Sequence, residues 1–124
     1  MVCQLQSGLP YVMGEQRRLE QVLTNLVENA LRFTPGGGTI TLSAEREAEW
    51  VMVTVADTGV GIPKEHLPHV FERFYKVERS RRDHGTGLGL AISKHLVQAH
   101  GGDISATSVE GEGSQFKVKL RSAT

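Results

Sequence analysis

Between Gly14 and Phe33, the residues Leu19, Val22, Leu23, Leu26, Val27 and Ala30 recur at three- and four-residue steps. That spacing gathers them on one stripe of a helix and leaves the remaining surface polar. A helix that is apolar on one side only needs a second layer to cover that side. The following segments supply it. Thr39 to Ala44 and Trp50 to Ala56 alternate, with Ile40 and Leu42 in the first and Val51, Val53 and Val55 in the second, as half-buried strands do. In between, Thr34-Pro35-Gly36-Gly37-Gly38 ends the helix, because Pro35 biases Thr34 away from helical angles and the glycines permit a turn.

The rest of the chain continues the alternation. The segment carrying Glu45, Glu47 and Glu49 is expected to be a hairpin loop, and Pro63-Lys64-Glu65-His66 to open a short helix with Pro63 in its first turn. Glu72 to His84 is polar, basic and poorly periodic, which predicts a loop. A second long helix is predicted from about Leu88 to His100, stopping at Gly101-Gly102. Two closing strands, Ile104 to Ser108 and Gln115 to Leu120, flank Glu110-Gly111-Glu112-Gly113. At 124 residues this is one domain with a core of its own. The expected class is α+β, a two-layer α/β sandwich with helices on one face of a mixed, mainly antiparallel sheet.

Charge removes several functions. The chain holds 14 basic and 14 acidic side chains, so a nucleic-acid or anionic-membrane role has no electrostatic support. Basic residues crowd locally, however: Lys76, Arg79, Arg81 and Arg82 precede a glycine run, which suits a small phosphorylated ligand. The single cysteine, Cys3, makes neither an intramolecular disulfide nor a metal cluster. No stretch approaches the roughly 18–20 apolar residues of a membrane span, and no signal pattern opens the chain. A cytoplasmic location follows, including as the cytosolic end of something larger.

Three patches carry chemistry. Gly85-Thr86-Gly87-Leu88-Gly89-Leu90 opens a helix, so backbone N–H groups and a positive helix end can meet phosphate oxygens. It is neither a Walker loop nor a dinucleotide turn, and alone it is equally a tightly packed turn at the start of a helix. Asp57 ends an apolar strand before Thr58-Gly59-Val60-Gly61. Its carboxylate can accept from the exocyclic amino group of adenine, where guanine offers a carbonyl; alone, it is as well read as an Asp capping its own turn. Gly59 and Gly61 would let a flat base lie against the backbone. Asn25, Asn29 and Arg32 stack one above another on the flank opposite the apolar stripe. An amide oxygen there is a suitable Mg²⁺ ligand, the alternative being ordinary polar surface.

With these patches in order, the chain from about Pro10 onward resembles the catalytic and ATP-binding domain of bacterial sensor histidine kinases. That domain belongs to the gyrase, heat-shock chaperone, histidine kinase and mismatch-repair ATPase superfamily. The matching motifs are Asn25 to Thr34 (N box), Asp57 to Ile62 (first glycine box), Phe71-Glu72-Arg73-Phe74-Tyr75 (F box) and Gly85 to Leu90 (second glycine box). The resemblance implies a Bergerat-type fold that uses ATP and Mg²⁺. It implies Asn29 as metal ligand, Asn25 supporting phosphates or metal, Arg32 on phosphate and Phe33 beside the nucleoside. Asp57 would read adenine, with Gly59, Gly61 and Ile62 shaping the base pocket. Gly85, Thr86, Gly87, Leu88 and Gly89 would line the triphosphate, and Lys76 or Arg82, among the lid cations, would neutralise the γ-phosphate.

It further implies a division into residues 1–13, a residual first strand and linker with Val2 to Leu5 as the remnant, and 14–124, the catalytic domain with an ATP lid at about 72–87. In ATP-hydrolysing relatives a glutamate acts as general base one turn before the metal asparagine. Here that position is Asn25, which cannot take a proton near neutral pH, and Glu28 lies roughly 100° around the helix from Asn29. The implied reaction is therefore γ-phosphoryl transfer to a histidine on a separate dimerisation domain, with a response regulator downstream. His66, His69, His84, His95 and His100 lack the sequence context of such an acceptor. Two other readings stay open: an ATP hydrolase using Glu28, and a nucleotide-gated interaction module. An anti-sigma serine kinase is a nearer cousin, but the F box fits the histidine kinases better.

Overall fold

The computed structural model describes residues 1–5, 8, 9, 11–75 and 88–123. Its elements are β1 (Val2–Leu5), α1 (Gln16–Phe33), β2 (Ile40–Glu47), β3 (Trp50–Asp57), α2 (Gly89–Ala99), β4 (Asp103–Val109) and β5 (Gly113–Arg121). They form a five-stranded sheet in the order β1-β2-β3-β5-β4. Only the β1–β2 pair is parallel; β2–β3, β3–β5 and β4–β5 are antiparallel. Because β5 opposes both its neighbours, β4 runs parallel to β3. Each helix thus crosses between two parallel strands, α1 from β1 to β2 and α2 from β3 to β4.

Both crossovers lie on one face. Leu19, Val22, Leu26 and Ala30 of α1 join Leu96 and Val97 of α2 over Val51, Val53 and Val55 of β3, Phe116, Val118 and Leu120 of β5, and Ile104 of β4. The expected sandwich is therefore the observed one. The alternation in β3 is strict, every second residue buried, as a one-sided sheet requires. Among the described residues the other face carries no helix. There Trp50 lies beneath two cations, with Lys119 Nζ 4.3 Å and Arg121 Cζ 4.8 Å from its ring centre.

The helix ends follow their sequence signals. Thr34 leaves α1 in an extended conformation before Pro35. At the start, Glu15 gives no side-chain cap. Instead its N–H donates to Nε2 of His100, 3.1 Å away, while His100 Nδ1 meets Leu96 O at 2.7 Å. The C-terminal turn of α2 is thereby fastened to the first turn of α1.

Two expectations need correction. The glutamate-rich segment is not a loop: Glu45 and Glu47 belong to β2, paired with Met52 and Trp50, and the turn is confined to Ala48–Glu49. Acidic side chains are tolerated there because every second β2 position faces away from the helices. The segment after Pro63 makes turns and one short 3₁₀ helix, Leu67–His69, rather than a helix starting at Pro63.

Candidate functional site

The flank of α1 that carries the two asparagines meets α2 at one end and the Asp57 turn at the other. Asn25 donates through Nδ2 to Gly89 O at 3.2 Å and to Ser93 Oγ at 3.3 Å. Ser93, fully buried, donates in turn to Gly89 O at 2.9 Å. Asn25 is therefore not on a flank opposite the apolar stripe. It sits beside that stripe and ties the first turn of α2 to α1, which brings the N box and the start of the second glycine-box helix together. At 100° per residue Asn25 lies roughly 60° from Val22, so the opposite flank was a misreading of the helix; its partner, 64 residues away, is what periodicity could not reveal.

One turn further on, Asn29 is partly exposed, and its carboxamide makes no hydrogen bond to any described residue. Arg32 is exposed and Glu28 is exposed, the latter away from Asn29. Phe33, the last residue of α1, accepts the N–H of Val60 through its carbonyl at 3.1 Å. From Asn25 to Phe33 is eight residues, about 12 Å of helix.

Beyond Phe33 lies the Asp57 turn. Asp57 is 9% exposed and its Oδ1 accepts the N–H of Gly59 at 2.8 Å. One oxygen thus does cap its own turn; Oδ2 makes no hydrogen bond among the described residues. Glycine is required at 59 because a Cβ there would sit 2.2 Å from Phe33 O. At 61, φ is +72° and a Cβ would stand 2.4 Å from Val109 O. These glycines admit backbone neighbours, the end of α1 on one side and the β4–β5 turn on the other. Thr58 fastens the first contact: its N–H donates to Thr39 O at 3.0 Å and its Oγ1 accepts the N–H of Thr39 at 2.8 Å. On the other side Ile62 N–H donates to Ser108 Oγ at 2.7 Å, and Gly111 N–H to Val60 O at 2.7 Å.

The sheet ends here in a cross-strand row on the helix side, Ile40–Asp57–Ser114–Ser108. Ser114 is 7% exposed and directly opposite Asp57. Sequence reasoning missed Ser108 and Ser114, as it missed Ser93 and Thr58; only register brings Ser114, far along the chain, beside the carboxylate. A groove of about 450 Å³ opens at the same end of the sheet. Its lining includes Thr41, Ala56, Gln115 and Thr107, one row on the helix-free face, so it backs the Asp57 row rather than facing α1.

Of the sequence-predicted site residues, Asn25, Asn29, Arg32, Phe33, Asp57, Gly59, Gly61, Ile62, Leu88 and Gly89 are described, and they group along the second half of α1, from Asn25 beside α2 to Phe33 beside the Asp57 turn. Lys76, Arg82, Gly85, Thr86 and Gly87 lie outside the described residues, as do Arg79, Arg81 and His84. Among the described residues no three His, Cys, Asp or Glu side chains come close enough to hold a metal ion, and no helix is long and apolar enough to cross a membrane. Two aromatic features flank the site. Phe71 packs edge-on to Phe116, ring centres 6.0 Å apart, and Phe74 is 69% exposed with a positive φ of 61°.

Comparison with known proteins agrees with this geometry. Residues 14–124 match the family described as histidine kinase-, DNA gyrase B- and HSP90-like ATPases. The chain is 50% identical over 114 residues to the sensor histidine kinase WalK of Bacillus subtilis, covering 89% of this chain and 19% of that protein. It is 46% identical over 105 residues to the sensor protein SrrB of Staphylococcus aureus, covering 83% of this chain and 18% of that one. It therefore spans only about a fifth of the length of these relatives. Among solved structures, the catalytic domain of the histidine kinase ThkA superposes with a TM-score of 0.84 at 30% identity, covering 98% of this chain and 77% of that one. With fold, ordered motifs and sequence pointing the same way, the chain belongs to the histidine kinase-, DNA gyrase B- and HSP90-like ATPase family, as a catalytic ATP-binding domain of the sensor histidine kinase type.

Proposed function

We propose that this domain binds Mg·ATP along the α1 flank and transfers its γ-phosphoryl group to a histidine on a separate dimerisation domain of the same parent protein. The observation that carries the reading is the layout of α1. Within about 12 Å of one helix, an adenine-type acceptor at Asp57 and the amino end of α2 are held at opposite ends. Asn29 lies between them, its carboxamide bonded to no described residue. The buried Asp57 carboxylate has one oxygen tied and one without a partner among the described residues, which suits an exocyclic amine and opposes a carbonyl.

Mg²⁺ fits the donor set. An unbonded, partly exposed amide oxygen plus phosphate oxygens and water is the sparse protein ligation this ion prefers, and Asn29 would supply that oxygen. When bound, the ion would offset phosphate charge. Asn25 positions the first turn of α2 by its bonds to Gly89 O and Ser93 Oγ, and that positive helix end favours the phosphates. Arg32 adds a cation on the same flank. The triphosphate cradle and lid cations of 72–87, with Lys76 and Arg82 foremost, complete the reading, as does the division of the chain at residue 14.

A histidine in another domain is the acceptor this reading needs. Among the described histidines, His100 has both ring nitrogens engaged by α1 and α2, His66 meets Tyr75, and His69 meets Glu72. Glu28, exposed and turned from Asn29, is poorly placed to activate water. The response regulator enters downstream, and the parent is a membrane sensor whose cytoplasmic part contains this domain.

Calorimetric titration with a Mg·ATP analogue and its guanine counterpart tests the proposal. The Asp57→Asn variant should lose about tenfold to a hundredfold in adenine affinity, since a hydrogen bond to a charged group contributes roughly 1.5–3 kcal/mol. Equal affinity for the two bases in the unmodified chain would sink the base-reading role of Asp57.

A further inference from the structure

We infer that Ser108 is a positioning residue for base selectivity: its hydroxyl fixes the Asp57–Ile62 turn and makes Ser114 an obligate acceptor beside Asp57. The inference deepens the nucleotide reading above and rests on it.

The hydroxyl hydrogens at this corner can be counted. A serine hydroxyl has one hydrogen and two lone pairs. The hydrogen of Ser108 goes to Gly113 O at 2.8 Å. One lone pair takes the N–H of Ile62 at 2.7 Å. Ser114 Oγ stands 3.0 Å away, and with the only hydrogen of Ser108 already committed, Ser114 must be the donor in that contact. What Ser114 can then offer its surroundings is lone pairs alone.

Ser114 pairs with Asp57 across β3 and β5, both buried on the helix side. Cross-strand partners on one face stand about 4.5–5.5 Å apart at Cβ, so one bound group can address both. Asp57 and Ser114 therefore present two side-chain acceptors side by side at the base end. An amino group satisfies both; a carbonyl meets repulsion from both. Ser108 needs no contact with the nucleotide to impose this.

Removing the Ser108 hydroxyl has two effects. The N–H of Ile62 loses its acceptor, which loosens the turn that carries Asp57. The Ser114 hydrogen is also released, so that hydroxyl can rotate and donate to a guanine carbonyl. The first effect weakens both nucleotides, and the second narrows discrimination.

The test is binding of the 124-residue chain to AMP-PNP and GMP-PNP with Mg²⁺, comparing the unmodified protein with Ser108→Ala, Ser108→Thr and Ser114→Ala. Ser108→Ala should cut the adenine-to-guanine affinity ratio by about tenfold, the size of one ordinary hydrogen bond. Ser108→Thr, which keeps the hydroxyl, should restore it. A turn that was merely loosened would weaken both nucleotides alike. An unchanged ratio in Ser108→Ala, with the unmodified chain discriminating, would overturn the role of Ser108 alone. If thermal melts show that Ser108→Ala does not fold, Ser114→Ala decides: a narrowed ratio supports the inference and an unchanged one overturns it. Absence of discrimination in the unmodified chain, with Asp57→Asn silent as well, would overturn this inference and the nucleotide reading together.

Discussion

The two ends of the α1 flank are built differently. At the Asp57 end nearly every polar group is already bonded within the protein: Oδ1 to Gly59, Thr58 to Thr39, Ile62 to Ser108, Ser108 to Gly113 and Ser114. At the asparagine end, among the described residues, one side chain is tied and the next is not, with Asn25 bridging to α2 and Asn29 unengaged. Under the proposed nucleotide reading, the first end is set in advance to recognise one pattern of donors, which keeps the ordering cost of binding low. The second offers ligating atoms to something brought in. A base differs from its competitors in fixed edge chemistry and rewards a rigid reader. A metal with its phosphates carries its own coordination demands and needs only a few available oxygens.

The strongest way to break this contrast is to remove what the ends share. Phe116 is 1% exposed, two residues along β5 from Ser114 and in edge contact with Phe71. Phe116→Ala should destabilise the domain by about 3–5 kcal/mol, read from denaturant melts, and abolish binding at both ends at once. A stable variant that kept one function would mean the ends fold independently. Asn29→Ala should separate them. Nucleotide affinity in Mg²⁺ should fall about threefold to tenfold, to the value seen with a chelator, while the adenine-to-guanine ratio stays put. A shift in that ratio would erase the contrast. The smallest effect is a control: Arg18 and Glu15 pair at 2.7 Å but are 57% and 71% exposed, so Arg18→Ala should change stability by no more than about 0.5 kcal/mol. Neither binding nor selectivity should move.

How far each end could be read from sequence follows from the same contrast. The α1 stripe, the alternating strands and the helix stop at Thr34-Pro35 are local patterns, and they hold within a few residues. Asp57 and Asn29 were legible because residue type and motif order advertise them. Ser114, Ser108 and Thr58 were not, since small hydroxyl residues are common and what distinguishes these three is register across strands remote in sequence. The placement of Asn25 was misjudged: helical spacing sets it beside the stripe, and only the fold shows that α2 packs there. Glu45 and Glu47 misled by composition, reading as loop when they occupy the helix-free side of β2.

The short bridge between Val12 and Ser122 has a mechanical consequence. Met13 N–H donates to Arg121 O at 2.8 Å and Ala123 N–H to Tyr11 O at 2.7 Å, so the segment leading into α1 and the one leaving β5 are clasped at a single corner. That corner lies at the opposite end of β5 from Ser114, about 24 Å away at the rise of an extended strand. β5 is therefore a lever arm. Its fulcrum is the Val12–Ser122 clasp, and its tip is the Asp57–Ser114 end. A rotation imposed at the clasp swings the recognition end through its greatest arc while leaving its internal bonds intact. The domain can be repositioned as a whole without being retuned.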